Sequence, residues 1–275
     1  MDHDLAQKYK TLQNYLRDLT DVAIAYSGGV DSTFLLHTAR DVCGQTHVLA
    51  LMAQGTFLSP RERETALDNA QKMGVIPLVV NADEYSVPEF CANLPDRCYY
   101  CKKNLFIKMK TAAAARGFFN LADGTNADDT GDYRPGLRAL KELGIHSPLA
   151  FSGLGKDEIR QLSSISSLPT ADQPSRACLA SRIPYGTPIT AALLTAVGQA
   201  EDYFMERGFG VVRLRAHGPV ALIEVPTQDF ERLLSIKNEI CSYVKTLGFT
   251  YVGLDVEGFR SGSQNEVLES ETGSR

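Results

Sequence analysis

The sequence predicts an α/β fold: a domain built on a parallel sheet, followed by a smaller α+β domain. Three observations carry this expectation. Short apolar runs alternate with helix-period segments over residues 5–122, the first such run ends in a glycine turn that opens a helix, and the pattern changes character around residues 184–188. Alternating strand and helix is the signature of a parallel sheet covered on both faces, with its working edge at the carboxyl ends of the strands.

Leu5, Tyr9, Leu12, Tyr15, Leu16 and Leu19 recur at helical spacing, so residues 5–19 read as an amphipathic helix. The apolar run 22–26 reads as a buried strand, and 31–42 returns to helical spacing through Phe34, Leu35, Leu36 and Ala39. A strand at 46–52, a helix at 60–73, a strand at 77–81, an alanine-rich helix at 103–116 and a strand at 118–122 complete the first series. Beyond it, a helix at 191–207 precedes two paired short strands, 210–215 and 220–225; a helix at 229–247 and a strand at 251–256 follow. The expected division is a first domain over 1–188, a smaller α+β domain over 189–266, and a polar tail, 267–275, that frays.

The chain has 275 residues, 44% of them hydrophobic and 22% charged, the balance of an ordinary globular protein. Its net charge of −5 argues against a protein that coats nucleic acid. The apolar runs are strand-length and fall short of the roughly 20 residues that cross a bilayer, and the polar start Met1-Asp2-His3-Asp4 lacks an apolar signal core. A cytoplasmic protein without membrane contact is the expectation. In that reducing compartment the six cysteines are read as metal or catalytic candidates where they cluster, not as a disulfide framework.

The glycine turn is Ser27-Gly28-Gly29-Val30-Asp31-Ser32, between the strand 22–26 and the following helix. Glycines let a backbone approach phosphate, and a helix N-terminus aims N–H groups and a positive dipole at an anion. Ser27 and Ser32 add hydroxyl donors, and Asp31 can hold a magnesium ion that bridges phosphates. No Gly-Lys-Ser/Thr follows, so this is not a Walker loop; the pattern resembles the PP-loop of enzymes that split ATP between its α and β phosphates, which implies a Rossmann-like domain of the adenine nucleotide alpha hydrolase-like class. A second element, Gly124-Thr125-Asn126-Ala127-Asp128-Asp129, follows the strand 118–122 at the same sheet edge. Its carboxylates and amide suit magnesium or a ribose, or form a plain Asx turn.

Cys98 and Cys101 form a C-x-x-C, and Cys178 stands in Pro174-Ser175-Arg176-Ala177-Cys178-Leu179-Ala180. Three thiolates can hold three irons of a [4Fe–4S] cluster and leave the fourth open. Zinc with a fourth ligand, a redox pair and burial as small hydrophobes are the other readings. Arg97, Lys102 and Lys103 make the surroundings of Cys98 and Cys101 electropositive, which favours thiolate. Cys43, Cys91 and Cys241 are isolated and read as packing residues. In the smaller domain, strand alternation puts Arg213, Arg215 and His217 on one face, fit for phosphate or carboxylate or simply solvated, and Arg182 is a further candidate anion contact.

Taken together, the PP-loop, Gly124 to Asp129 followed by Asp132-Tyr133-Arg134-Pro135-Gly136, the stretch 177–190 (ACLASRIPYGTPIT), Arg213-x-Arg215-x-His217 and Asp255-x-x-Gly258-Phe259-Arg260 resemble the LarE family over residues 15–266. These are ATP-dependent sulfur transferases of nickel-pincer nucleotide biosynthesis. The resemblance implies that ATP and magnesium activate the carboxylates of pyridinium-3,5-biscarboxylic acid mononucleotide as acyl-adenylates, and that sulfur then displaces AMP to give thiocarboxylates. It assigns Asp31 and Cys178, with Cys98 and Cys101, to the chemistry. The nucleotide falls to Ser27, Gly28, Gly29, Asp31, Ser32, Gly124, Asn126, Asp128 and Asp129. Arg97, Lys103, Arg182, Arg213, Arg215 and His217 would meet the substrate.

Some family members sacrifice the cysteine matching Cys178; others hold a [4Fe–4S] cluster on three cysteines, the pattern of Cys98, Cys101 and Cys178. The resemblance also implies a homo-oligomer and a sulfur donor as partner. Where relatives often carry lysine, this chain has Gln173. A PP-loop tRNA thiolase and a non-catalytic nucleotide or cluster sensor share some of these residues. The acidic balance and the ACLASRIPYG stretch weigh against the first, and the intact Asp31, Asp128 and Asp129 against the second.

Overall fold

The computed structural model describes residues 2–131, 135–174, 177–260, 262 and 264. The readings made on Asp132-Tyr133-Arg134, on Ser175 and Arg176, and on the tail 267–275 lie outside the described residues.

In chain order the elements are α1 (His3–Leu19), β1 (Val22–Ala25), α2 (Val30–Cys43), β2 (Val48–Gln54), α3 (Pro60–Lys72), β3 (Leu78–Asn81), α4 (Pro88–Cys91), α5 (Arg97–Ala114) and β4 (Asn120–Ala122). There follow α6 (Pro135–Glu142), α7 (Pro148–Phe151), α8 (Lys156–Ile165), α9 (Ala191–Glu206), β5 (Arg213–His217), β6 (Val220–Glu224), α10 (Phe230–Ser235), α11 (Lys237–Thr246) and β7 (Tyr251–Leu254). The chain forms two compact units. The first comprises Met1–Gly55, Glu62–Phe90 and Pro95–Arg176; the second comprises Thr56–Arg61, Cys91–Leu94 and the chain from Ala177 onward.

The first unit is a Rossmann-like α/β core whose sheet has the order β3-β2-β1-β4, every pair parallel. Alternation along the strands divides its interior. Val22, Ile24, Ala50, Met52 and Ala122 pack with residues of α1, α2, α3 and α8, while Ala23, Leu51 and Leu121 pack with Phe106, Met109 and Ala113 of α5 and Leu140 of α6. A sheet sandwiched in this way reads as continuous apolar runs. The order reverses between β1 and β4, so the crevice of a doubly wound sheet opens beyond the carboxyl ends of those two strands.

The second unit carries a three-stranded sheet, β5-β6-β7, antiparallel then parallel. Its core gathers Leu194, Val197, Phe204, Leu214, Ile223 and Val244, all fully or nearly fully buried. Three expected elements are corrected. The strand expected at 210–215 runs Arg213–His217, because the hairpin turns at Gly218 (φ +57°) and Pro219, which pairs His217 with Val220. The single helix expected at 229–247 is two, broken at Ile236. Ser235 Oγ donates to the Arg232 carbonyl at 2.7 Å, competing with the helix ladder at the break. The helix expected from Lys103 starts six residues earlier, at Arg97, and so includes both cysteines of the C-x-x-C. Among the described residues no helix is long and apolar enough to cross a membrane.

Candidate functional site

β1 hands the chain to the glycine turn through Tyr26, whose N–H donates to the Leu51 carbonyl (2.8 Å) and whose hydroxyl donates to the Ala66 carbonyl (2.8 Å). Gly28 follows at φ +77°, where a side chain is strained, and any Cβ there would run into Ala66. Gly29 caps α2 without a side-chain hydrogen bond, so the helix start presents its N–H groups at the sheet edge. The two predicted serine donors divide. Ser32 is buried, and its hydroxyl closes the turn, meeting Ser27 Oγ (3.0 Å), the Ser27 N–H (3.1 Å) and the Gly29 carbonyl (3.2 Å).

Asp31 occupies the first turn of α2. Lys156, the first residue of α8, donates from Nζ to Asp31 Oδ2 at 2.5 Å. The other oxygen, Oδ1, is buried and has no hydrogen-bond partner. Burial pushes the Asp31 carboxyl above its usual range and nearby Asp129 adds to this, while the Lys156 ammonium opposes it. The loop after β4 approaches closely, since a Cβ on Gly124 would lie 3.0 Å from the Ser32 nitrogen. In that loop the Asn126 amide oxygen accepts the N–H groups of Asp128 (2.9 Å) and Asp129 (3.2 Å), and Asp129 Oδ2 accepts the Asn126 N–H (3.1 Å). Asn126 and Asp129 thus build an Asx turn. Asp128 Oδ2 accepts the backbone N–H of Lys156 at 2.7 Å, so one lysine touches both Asp31 and Asp128.

This cradle fits a nucleotide phosphate with a divalent cation: there is no room for a side chain at Gly28, the helix start is uncapped, and one buried carboxylate oxygen lacks a donor. Among the described residues, no three His, Cys, Asp or Glu side chains are grouped as metal ligands. Cys98 and Cys101 lie in the first two turns of α5, three residues apart on one helix face; Cys98 is exposed and Cys101 half-buried. Thiols so placed can act as two ligands of a cluster. Nearby, Arg97 is buried, Lys102 lies 3.9 Å from Asp123, and Lys103 Nζ donates to the Tyr99 hydroxyl (2.8 Å) and Glu142 (2.9 Å).

In the second unit Cys178 is exposed, and its carbonyl accepts the N–H (2.9 Å) and hydroxyl (2.7 Å) of Ser181. The predicted cations differ sharply in their surroundings. Arg182 is buried in a two-pronged pair with Glu201 (2.7 and 3.0 Å), and Arg215 in another with Glu224 (2.8 and 3.1 Å). Arg215 also donates to the Ser181 carbonyl at 2.6 Å. Both guanidinium groups are therefore engaged by carboxylates before any anion is considered. Arg213 is half-buried over the Phe259 ring, 4.6 Å to its centre. Burial, with Arg182 and Arg215 nearby, pulls it down to about 10. Without a two-pronged carboxylate pair of its own, Arg213 is the best placed of the three to receive an anion. His217 ends β5 exposed.

Asn93, fully buried, ties down the stretch carrying Arg182, donating from Nδ2 to the carbonyls of Ile183 (3.3 Å), Pro184 (2.7 Å) and Thr187 (2.9 Å). Lys156, Asn93, Glu201 and Glu224 were not among the residues singled out from the sequence. Gly155 followed by Glu158, whose Oε2 accepts the Gly155 N–H (2.9 Å), is a helix-start signal that would have found Lys156. The hairpin register, which sets Arg213 opposite Glu224, would have found that glutamate.

No family model matches the chain. It is 41% identical over 266 residues to an uncharacterized protein of Synechocystis sp., covering 96% of this chain and 99% of that one. It is 36% identical over 264 residues to the pyridinium-3,5-bisthiocarboxylic acid mononucleotide synthase of Lactiplantibacillus plantarum, covering 96% of each. An uncharacterized protein of Methanocaldococcus jannaschii is 29% identical over 261 residues, covering 95% of this chain and 96% of that one.

Proposed function

The chain belongs to the LarE family, and on that premise we propose that it is an ATP-dependent sulfur transferase converting the carboxylates of pyridinium-3,5-biscarboxylic acid mononucleotide to thiocarboxylates. The observation that carries the reading is the half-buried Asp31 carboxylate, one oxygen on Lys156 and the other, buried oxygen without a donor, set at the uncapped start of α2. Such a carboxylate beside a phosphate cradle supports the reading that a divalent cation would be held there.

In this reading the glycine turn and the α2 N–H groups cradle the phosphates, and Asp31 is the residue that would hold a magnesium ion, which would supply charge neutralisation for the leaving pyrophosphate. A substrate carboxylate oxygen attacks the α-phosphorus, the bond to the β-phosphate oxygen breaks, and acyl-adenylate forms. Sulfide then attacks the acyl carbon and AMP leaves with the C–O bond electrons, giving the thiocarboxylate. Two carboxylates require two rounds and two ATP. Arg213 receives the substrate phosphate, while the paired Arg182 and Arg215 fix the walls around it. Cys98, Cys101 and Cys178 are the thiols that would hold a [4Fe–4S] cluster, and such a cluster would supply the transferable sulfide.

The test is made on protein purified without oxygen, with iron, acid-labile sulfide and substrate-dependent pyrophosphate release measured in wild type and Cys178→Ala. About four irons per chain, lost in the variant, with pyrophosphate released only when ATP and the dicarboxylate are both present, is the expected result. Pyrophosphate release without iron, even after reconstitution, would instead make Cys178 the sulfur donor itself. Absence of pyrophosphate release would overturn the adenylation.

A further inference from the structure

Lys156 stands at the first position of α8, where the helix dipole is positive and a cation is disfavoured. Its environment explains why it stays. Nζ contacts Asp31 Oδ2 at 2.5 Å, and its own N–H is held by Asp128 Oδ2 at 2.7 Å. The other nearby cation, Arg160 of the same helix, is committed elsewhere, donating to the carbonyls of Ala171 (2.6 Å) and Gln173 (2.7 Å). Lys156 is therefore the cation that can change partner. Its flexible stem and three ammonium donors suit a point contact with phosphate, and its side chain is 27% exposed.

We propose that Lys156 is a built-in counter-cation that reserves Asp31 until a polyphosphate arrives, so that metal and nucleotide enter together. The proposal rests on the nucleotide site read above. Before nucleotide binds, the ammonium neutralises the half-buried carboxylate, and a free divalent cation must displace it without compensation. When a triphosphate reaches the start of α2, Lys156 exchanges Asp31 for a phosphate oxygen. The carboxylate is then open to the cation that accompanies the nucleotide. No covalent bond is made or broken in this exchange, and Asp31 keeps a cation beside it before and after. The same lysine thereby does two opposite things: it lowers affinity for metal alone and raises affinity for the polyphosphate.

Those opposite signs make the test. Binding of Mn²⁺ alone, of inorganic pyrophosphate with Mn²⁺, and of ATP with Mn²⁺ is measured calorimetrically on wild type, Lys156→Met, Lys156→Arg and Asp31→Asn, with circular dichroism confirming folding. Lys156→Met is expected to bind Mn²⁺ alone about tenfold more tightly than wild type and ATP with Mn²⁺ about tenfold more weakly, the scale of one charged hydrogen bond. Lys156→Arg keeps the charge and is expected to leave Mn²⁺ binding weak, and Asp31→Asn to abolish it. Parallel weakening of both ligands in Lys156→Met would reduce the lysine to a structural role and overturn the proposal. So would unchanged binding of both. Wild type that fails to bind ATP with Mn²⁺ would overturn the nucleotide site itself, whereas normal wild-type binding with no effect of the lysine sinks only this inference.

Discussion

Gly28 and Ala66 approach so closely that a Cβ on the glycine would lie 2.3 Å from the alanine Cβ and 2.8 Å from its Cα. The glycine turn is therefore moulded against α3. Gly28→Ala combines a left-handed backbone with a steric clash and is expected to cost about 2–5 kcal/mol, read as a lowered urea midpoint. Ala66→Gly alone should cost about 1 kcal/mol. The double variant should recover part of the loss, since the nearest clashing atom has gone; no recovery would mean that backbone strain at Gly28 is the whole effect.

Asp31 is held in a way that works against stability once it is ionised. Burial raises its folded pKa above the ordinary 3.8, so its stabilising contribution is present below that value and is lost as pH rises through the folded value. Ionised Asp31 is thus a net cost at neutral pH. Asp31→Asn should raise the melting temperature by roughly 2–4 °C at neutral pH for each kcal/mol relieved, with the gap closing toward pH 4, while pyrophosphate release disappears. A variant less stable at neutral pH than wild type would show that Lys156 outweighs burial.

The Arg182–Glu201 pair is deep, at 6% and 4% side-chain exposure, and Glu201 also accepts the Leu214 N–H at 2.9 Å. Removing one partner leaves a buried charge unpaired. Glu201→Ala should cost about 3–5 kcal/mol, whereas Arg182→Met with Glu201→Leu should lose much less. Equal losses in single and double variants would show that the Leu214 hydrogen bond, not the stranded charge, dominates.

Arg213 separates from its neighbours by the same logic. Having no carboxylate in a two-pronged pair, it can be removed cheaply: Arg213→Ala should change stability by about 1 kcal/mol, the scale of its contact with Phe259. It should raise the KM for the pyridinium nucleotide about tenfold or more and leave that for ATP nearly unchanged. Steady-state kinetics with each substrate varied in turn provide the check, and unchanged KM values would remove the phosphate assignment.

The sequence made the first unit readable because its sheet is buried on both faces. Runs such as Val22-Ala23-Ile24-Ala25 admit few other readings, and the glycine turn declares itself by composition. The second unit was read through its hairpin, but the break at Ile236 depends on a hydroxyl competing for one carbonyl, which periodicity does not register. Residue types at Arg182 and Arg215 pointed to anion binding. What they could not convey is that Glu201 and Glu224 already hold both guanidinium groups, since partners 19 and 9 residues away leave no local pattern. Lys156 escaped for the same reason, 125 residues from Asp31.

Asn93 and the three carbonyls it holds bear on how the protein is made. Its partner at Ile183 is 90 residues further along the chain. At a synthesis rate of about 5–20 residues per second, Asn93 leaves the ribosome several seconds before that partner exists. Through that interval the short passage around it has no native place to go. The second unit is therefore obliged to assemble late, after the segment joining its pieces has been translated. A fragment started after that passage would lack the amide that shapes the loop beside Cys178.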